Sequence, residues 1–184
     1  MVEERSRGEL RPGAGPGAGP GAGPGAGPGA GPVGDAGHPR QRGDFPVRWP
    51  MPTRWADNDH YGHVNNVTYY SYFDTAVNGY LMEAAEGDIR ELDAVGLVAE
   101  TACRFLAPVS FPDHLEVGLA VSRLGRASIT YRIGLFRTAE EEPVALARFV
   151  HVYVDHATRQ STEVPAAIRQ AVTPLLLPEG AAEG

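Results

Sequence analysis

The sequence predicts an α+β fold in which one long amphipathic helix packs on an antiparallel sheet, and three observations predict it. Apolar side chains recur at spacings of three and four from Val67 to Ala84. After Glu91 they recur at spacing two. Short, hairpin-like turns join the later runs, the pattern of neighbouring antiparallel strands.

In chain order, residues 13–32 are five copies of Gly-Ala-Gly-Pro. With its polar flanks, the segment 1–44 has nothing to bury and is expected to be a disordered tail. Collagen is excluded by register, since glycine falls at alternate positions rather than every third. Met1–Pro12 lacks the apolar stretch of a secretory leader. The folded domain is expected over 45–177, with 178–184 a flexible C-terminus. Phe45–Trp55 is held extended by Pro46, Pro50 and Pro52 and reads as an edge strand. Val67, Tyr70, Phe73, Val77, Leu81 and Ala84 then mark one face of a helix of about 20 residues. Asn65 or Asn66 would cap its start and Gly87 would end it. Four strands follow: Val95–Leu106, Leu115–Leu124, Ala127–Arg137 and Val144–Asp155. The last is apolar on both faces and is expected to be central and buried on two sides. Pro165–Val172 reads as a short helix. One helix covers one face of a sheet, so the other face is expected to need a partner, making a homodimer or homotetramer.

The composition removes several functions. At 184 residues a single domain is expected. The segment 1–44 holds as many acidic as basic residues, so the whole net charge of −7 belongs to the remainder. A nucleic-acid partner is not expected on such an acidic domain. No apolar run approaches the ~20 residues that span a membrane, and a cytoplasmic location is the expectation. All 16 basic residues are arginine, which excludes Schiff-base chemistry on lysine. The single cysteine, Cys103, forms no intrachain disulfide and offers no cysteine-based zinc site.

The chemistry is concentrated in Asp57-Asn58-Asp59-His60-Tyr61-Gly62-His63. Four readings compete. The loop could be a polar turn satisfying its own backbone. A calcium loop fits Asp57, Asp59 and Gly62, but Thr68 stands where the bidentate Glu belongs. A transition-metal site could draw on Asp57, Asp59, His60 and His63, though their spacing matches no known ligand set. In the fourth reading an aspartate acts beside a helix N-terminus, whose unpaired amides can hold the oxygen of a carbonyl under attack. Ser128 has no nucleophile-elbow context, Cys103 reads as core, and His151 reads as a satisfied sheet residue.

The run D-x-D-x-x-G-H-V-N-N-x-x-Y-x-x-Y-F-D at Asp57–Asp74 resembles the signature of 4-hydroxybenzoyl-CoA thioesterase-like hotdog proteins. Phe105–Val109, Arg123–Ser128 and Val152–Asp155 with Thr158 and Pro165 are similar to later segments of that family. The resemblance spans about residues 46–170 and implies a hotdog fold, one long helix wrapped by a curved five-stranded antiparallel sheet, with sites at a protomer interface. It also implies an acyl-CoA thioesterase that needs no metal or other cofactor, the CoA thioester being the substrate. Asp59 matches the catalytic acid, as nucleophile or general base. The amides of Asn65 and Asn66 would polarise the carbonyl, while Gly62, His63 and Tyr70 would shape loop and pocket. Arg123, Arg126 and Arg148 are the arginines expected to meet CoA phosphates. The alternatives are a non-catalytic acyl-CoA-binding or regulatory protein and, ranked last, a hotdog dehydratase using His63.

Overall fold

A computed structural model of the chain describes residues 39–85 and 87–178. The Gly-Ala-Gly-Pro tail and the last six residues lie outside the described part, so the expectations for them do too. Strands β1 (Val47–Pro52), β2 (Ala94–Phe105), β3 (His114–Leu124), β4 (Ser128–Arg137) and β5 (Pro143–Asp155) form one antiparallel sheet in the order β1-β3-β4-β5-β2. Helix α1 (Asn66–Ala84, 19 residues) lies between β1 and β2 in sequence, and a short helix α2 (Ala166–Val172) follows β5. The alternating pattern therefore places each of the four later strands within one residue of its expected ends. The prolines of β1 are tolerated because it is an edge, paired only to β3.

One sheet face packs on α1. Leu115, Val117, Leu119 and Val121 of β3 join Ile129, Tyr131, Ile133 and Leu135 of β4 and Ala145, Ala147, Phe149 and Tyr153 of β5 in the main core. The face of α1 that meets them is rotated from the expected one. Tyr69, Tyr72, Phe73, Ala76, Val77 and Leu81 are buried, whereas Val67 is 69% exposed and Ala84 is exposed. Val67 sits in the first turn, and the bulkier Tyr69 and Tyr72 take the core positions. The helix also stops at Ala84, before the expected terminator, although Gly87 does adopt a positive φ of 97°.

Three further expectations are corrected. Strand β5 is interior but buried on one face only, since Leu146, Arg148, Val150 and Val152 on the other are half-buried. That second face is not left bare for a partner: Phe45 and Phe136 pack edge to face on it, with Ala120, Leu146 and Leu177 around them. Gly118 and Gly134 admit them, because a Cβ at either would come within 2.6 Å of a Phe45 or Phe136 ring carbon. The fold also begins before Phe45. Residues Arg42–Asp44 form a 3-10 turn tied down by the Arg42 Nε–Glu116 Oε2 pair at 2.8 Å. Among the exposed apolar side chains are Leu97, Val98 and Phe105 along β2 and Leu106 just past it.

Candidate active site

The loop from Asp57 to Asn65 is built around two aspartates with different surroundings. Asp57 is 3% exposed, and its carboxylate accepts from Arg54 N (2.7 Å), Arg54 Nη2 (2.8 Å) and the Tyr72 hydroxyl (2.6 Å). Burial pushes its pKa up, but these donors outweigh burial and the net displacement is downward. Its backbone oxygen accepts from Asn65 N at 2.9 Å. These bonds fasten the loop to its own entry and to α1. Asp57→Asn is expected to cost about 1–3 kcal/mol by weakening charge-assisted bonds at a buried site. A depressed folded pKa means that this stabilisation is complete above the ordinary value of ~3.9 and lost as pH falls through the folded value. Thermal melts from pH 6 down to pH 3 should therefore fall less steeply for Asp57→Asn than for the native chain.

Asp59 is only half-buried. Its Oδ1 accepts from the amides of Tyr61 (2.8 Å) and His63 (3.3 Å), and its own amide donates to His63 O at 2.7 Å. Among the described residues nothing donates to Oδ2. One oxygen thus holds the loop in place and the other is available. Gly62 turns the chain back at φ 83°, a conformation that costs a residue with a Cβ about 1–2 kcal/mol. No atom lies within 4 Å of where that Cβ would be, so the cost is backbone strain alone. Gly62→Ala should lower the unfolding free energy by that amount without a packing defect, as a denaturant titration would show.

The helix start differs from expectation in one respect. Asn65 is the N-cap: its Oδ1 accepts from Val67 N at 3.0 Å and its carbonyl from Thr68 N at 2.8 Å. Its backbone N–H is occupied by Asp57 O, so that amide cannot donate to a substrate oxygen. The amide of Asn66 is the one left without an acceptor among the described residues.

Beside it opens a groove of about 330 Å3 lined by His63, Val64, Asn66 and Tyr69 on one side and Phe105–Pro108 on the other. Tyr69, not Tyr70, faces this groove, its ring 5.0 Å from that of Phe105. Tyr70 stacks on Phe149 at 6.3 Å instead. Residues to which the sequence gives no role brace the groove. Asn58 Oδ1 accepts from Phe111 N, and Arg137 Nη2 donates to Pro108 O at 2.5 Å. Only Arg54, with its three-residue spacing to Asp57, leaves a signal in the sequence; the other partners are distant along the chain.

Asp59, Gly62 and His63 are held in one loop, His63 and Asn66 line the groove, and the three arginines do not join them. Arg126 pairs with Glu163 at 2.8 Å and Arg148 pairs with Glu100. Arg123 lies at the far end of β3, roughly 30 Å from the loop end at ~3.3 Å per residue. Cys103 is partly buried, and burial pushes its thiol up to about 11, which leaves it protonated. Among the described residues, no three His, Cys, Asp or Glu side chains converge as a metal site would need.

A family model described as the thioesterase-like superfamily matches residues 53–172. A protein of Pseudomonas aeruginosa strain PAO1 is 45% identical over 76% of this chain and 98% of its own, with a TM-score of 0.72. A thioesterase of Thermus thermophilus, solved with coenzyme A and zinc, is 29% identical over 72% and 95%, with a TM-score of 0.60. A 1,4-dihydroxy-2-naphthoyl-CoA thioesterase of Synechocystis shares the fold at 18% identity over 70% and 94%, with a TM-score of 0.62. No curated protein matches the chain.

Proposed function

Because this chain belongs to the thioesterase-like superfamily of hotdog proteins, and is by that membership a thioester hydrolase, we propose that it cleaves acyl-CoA with Asp59 as the catalytic carboxylate. The observation that carries this reading is the division of labour within Asp59: Oδ1 is fixed by two loop amides while Oδ2 is unengaged. Asp57, the other candidate, has its carboxylate committed to Arg54 and Tyr72. The thioester carbonyl lies in the groove with its oxygen at the Asn66 N–H, where the helix dipole favours developing negative charge.

Two routes share this geometry. Oδ2 adds to the carbonyl carbon, the C–S electron pair leaves on sulfur, and water then hydrolyses the mixed anhydride. Alternatively, Oδ2 takes a proton from water as its oxygen adds to that carbon, and the proton passes to the leaving thiolate. Both turn thioester and water into a carboxylic acid and a thiol. Neither route calls on a metal or other cofactor.

The groove is bordered by Phe105 at the end of β2, which supports a homodimer or a homotetramer built through that strand. Strand β2 ends the sheet with its outer edge unpaired among the described residues, and Leu97, Val98, Phe105 and Leu106 are each 43–49% exposed. Pairing β2 with its copy would close the groove and bury those side chains. In such a pair, Arg123 and Arg126 lie at the end of each subunit that faces the other's loop, where CoA phosphates could reach them. Sedimentation should show the native chain as a dimer or larger, and Val98→Arg with Leu106→Arg should yield a monomer with little turnover. No helix among the described residues is long and apolar enough to cross a membrane, and a cytoplasmic enzyme is proposed. Thiol release from a panel of acyl-CoAs is the test: stoichiometric free CoA and acid support hydrolysis, and binding without release would mean a non-catalytic acyl-CoA-binding protein.

A further inference from the structure

The covalent route needs a second base. Once Asp59 Oδ2 carries the acyl group, that carboxylate can no longer take a proton from the water that must hydrolyse the anhydride. Asp57 cannot stand in for it, because its carboxylate is 3% exposed and already accepts from Arg54 and the Tyr72 hydroxyl. Of the side chains that line the groove, only those of Tyr69 and His63 titrate. Tyr69 is 3% exposed, and burial pushes its hydroxyl up, which keeps it a neutral phenol.

His63 differs on each count. The residue is exposed, and its imidazole has no partner among the described residues. The backbone holds it beside the nucleophile: His63 N donates to Asp59 Oδ1 at 3.3 Å, and His63 O accepts from Asp59 N at 2.7 Å. Asn58 and Val64 bridge just outside this pair, so the stretch from Asp59 to His63 closes on itself. His63 also lines the groove together with Asn66, whose amide has no acceptor among the described residues. Imidazole changes its protonation near neutral pH, which suits it to take a proton from water and pass it on.

We propose that His63 is the general base of the second half-reaction, activating the water that frees the acyl group from Asp59. This step rests on the thioesterase reading and on its covalent route. An imidazole nitrogen takes one proton as the water oxygen adds to the acyl carbon, whose carbonyl oxygen stays at the Asn66 amide. The bond from that carbon to Asp59 Oδ2 breaks, and its electron pair returns to the carboxylate. The imidazolium then gives its proton to the thiolate expelled in the first half-reaction. Acid and thiol leave, and both side chains are as they began. Asp59 forms the anhydride; His63 clears it.

The test is rapid-mixing measurement of thiol release by the full chain, native, His63→Ala and His63→Asn, with acetyl-, hexanoyl- and benzoyl-CoA as probes. Both variants keep the backbone bonds to Asp59, so thermal melts should match the native chain. Asparagine keeps a polar side chain but is no base, and it covers an alanine variant that misfolds. Each variant should release one thiol per site at close to the native rate and then turn over about 10²–10⁴-fold more slowly. Hydroxylamine, a nucleophile that needs no base, should restore thiol release in both and divert the product to the hydroxamate. A first turnover slowed as much as later ones, a burst that hydroxylamine does not relieve, or near-native steady turnover in either variant would overturn the proposal. Any of these, with the native chain active, removes this step alone. No thiol release by the native chain from any probe would instead remove the thioesterase reading, and this step with it.

Discussion

Replacing Asp59 by asparagine is expected to lower kcat for acyl-CoA hydrolysis by about 10²–10⁴, the range for losing a positioned acid–base group, with nucleophilic loss at least as large. Asparagine keeps an oxygen that can accept from the Tyr61 and His63 amides, so the loop should keep its shape. The residue is half-buried and carries no core packing, so stability should change by no more than a surface substitution does, within about 0.5 kcal/mol. Substrate binding should survive, because the groove is lined by other side chains. The loss belongs in kcat, with KM little changed. Steady-state thiol release, with a melt as control, checks both halves.

Phe73→Ala is expected to cost about 3–5 kcal/mol, the range for emptying a buried aromatic site. The side chain is wholly buried, and its ring meets those of Tyr69, Tyr70 and Phe149 at 6.5, 6.4 and 6.0 Å. Each contact is edge to face, so electrostatic preference is lost along with area. Against a total stability of about 5–15 kcal/mol, this would leave the domain marginal. Urea unfolding should show a lower midpoint at unchanged slope. Activity should fall with the folded fraction, since the same helix presents the Asn66 amide and the Tyr69 wall of the groove.

Strand positions are legible because period two is a direct consequence of pleating: Leu115, Val117, Leu119 and Val121 can face only one way together. The phase of α1 is not. Val67 and Tyr70 continue the periodic pattern as well as Tyr69 and Tyr72 do, and only the sheet decides which stripe is buried. Of the candidate site, Asp59, Gly62 and His63 stand out by their spacing, and the fold keeps them together. What eludes the sequence is pairing at a distance. Asp57 O takes the Asn65 amide, Tyr72 reaches back to Asp57, and Glu163 takes Arg126. None of these leaves a local pattern. The His151 side chain is the sharpest instance, because β5 explains why it is buried but nothing near it in sequence shows that its nitrogen lacks a partner.

Asp57 and Asp59 stand two residues apart with the same chemistry, and their surroundings give them opposite roles. The decisive measurement is thiol release by Asp57→Asn and Asp59→Asn side by side, each normalised to its folded fraction. Asp59→Asn should melt like the native chain and be nearly inactive, while Asp57→Asn should melt earlier and keep most of its activity per folded molecule. Substantial turnover in folded Asp59→Asn would contradict the assignment of Asp59 as the catalytic carboxylate.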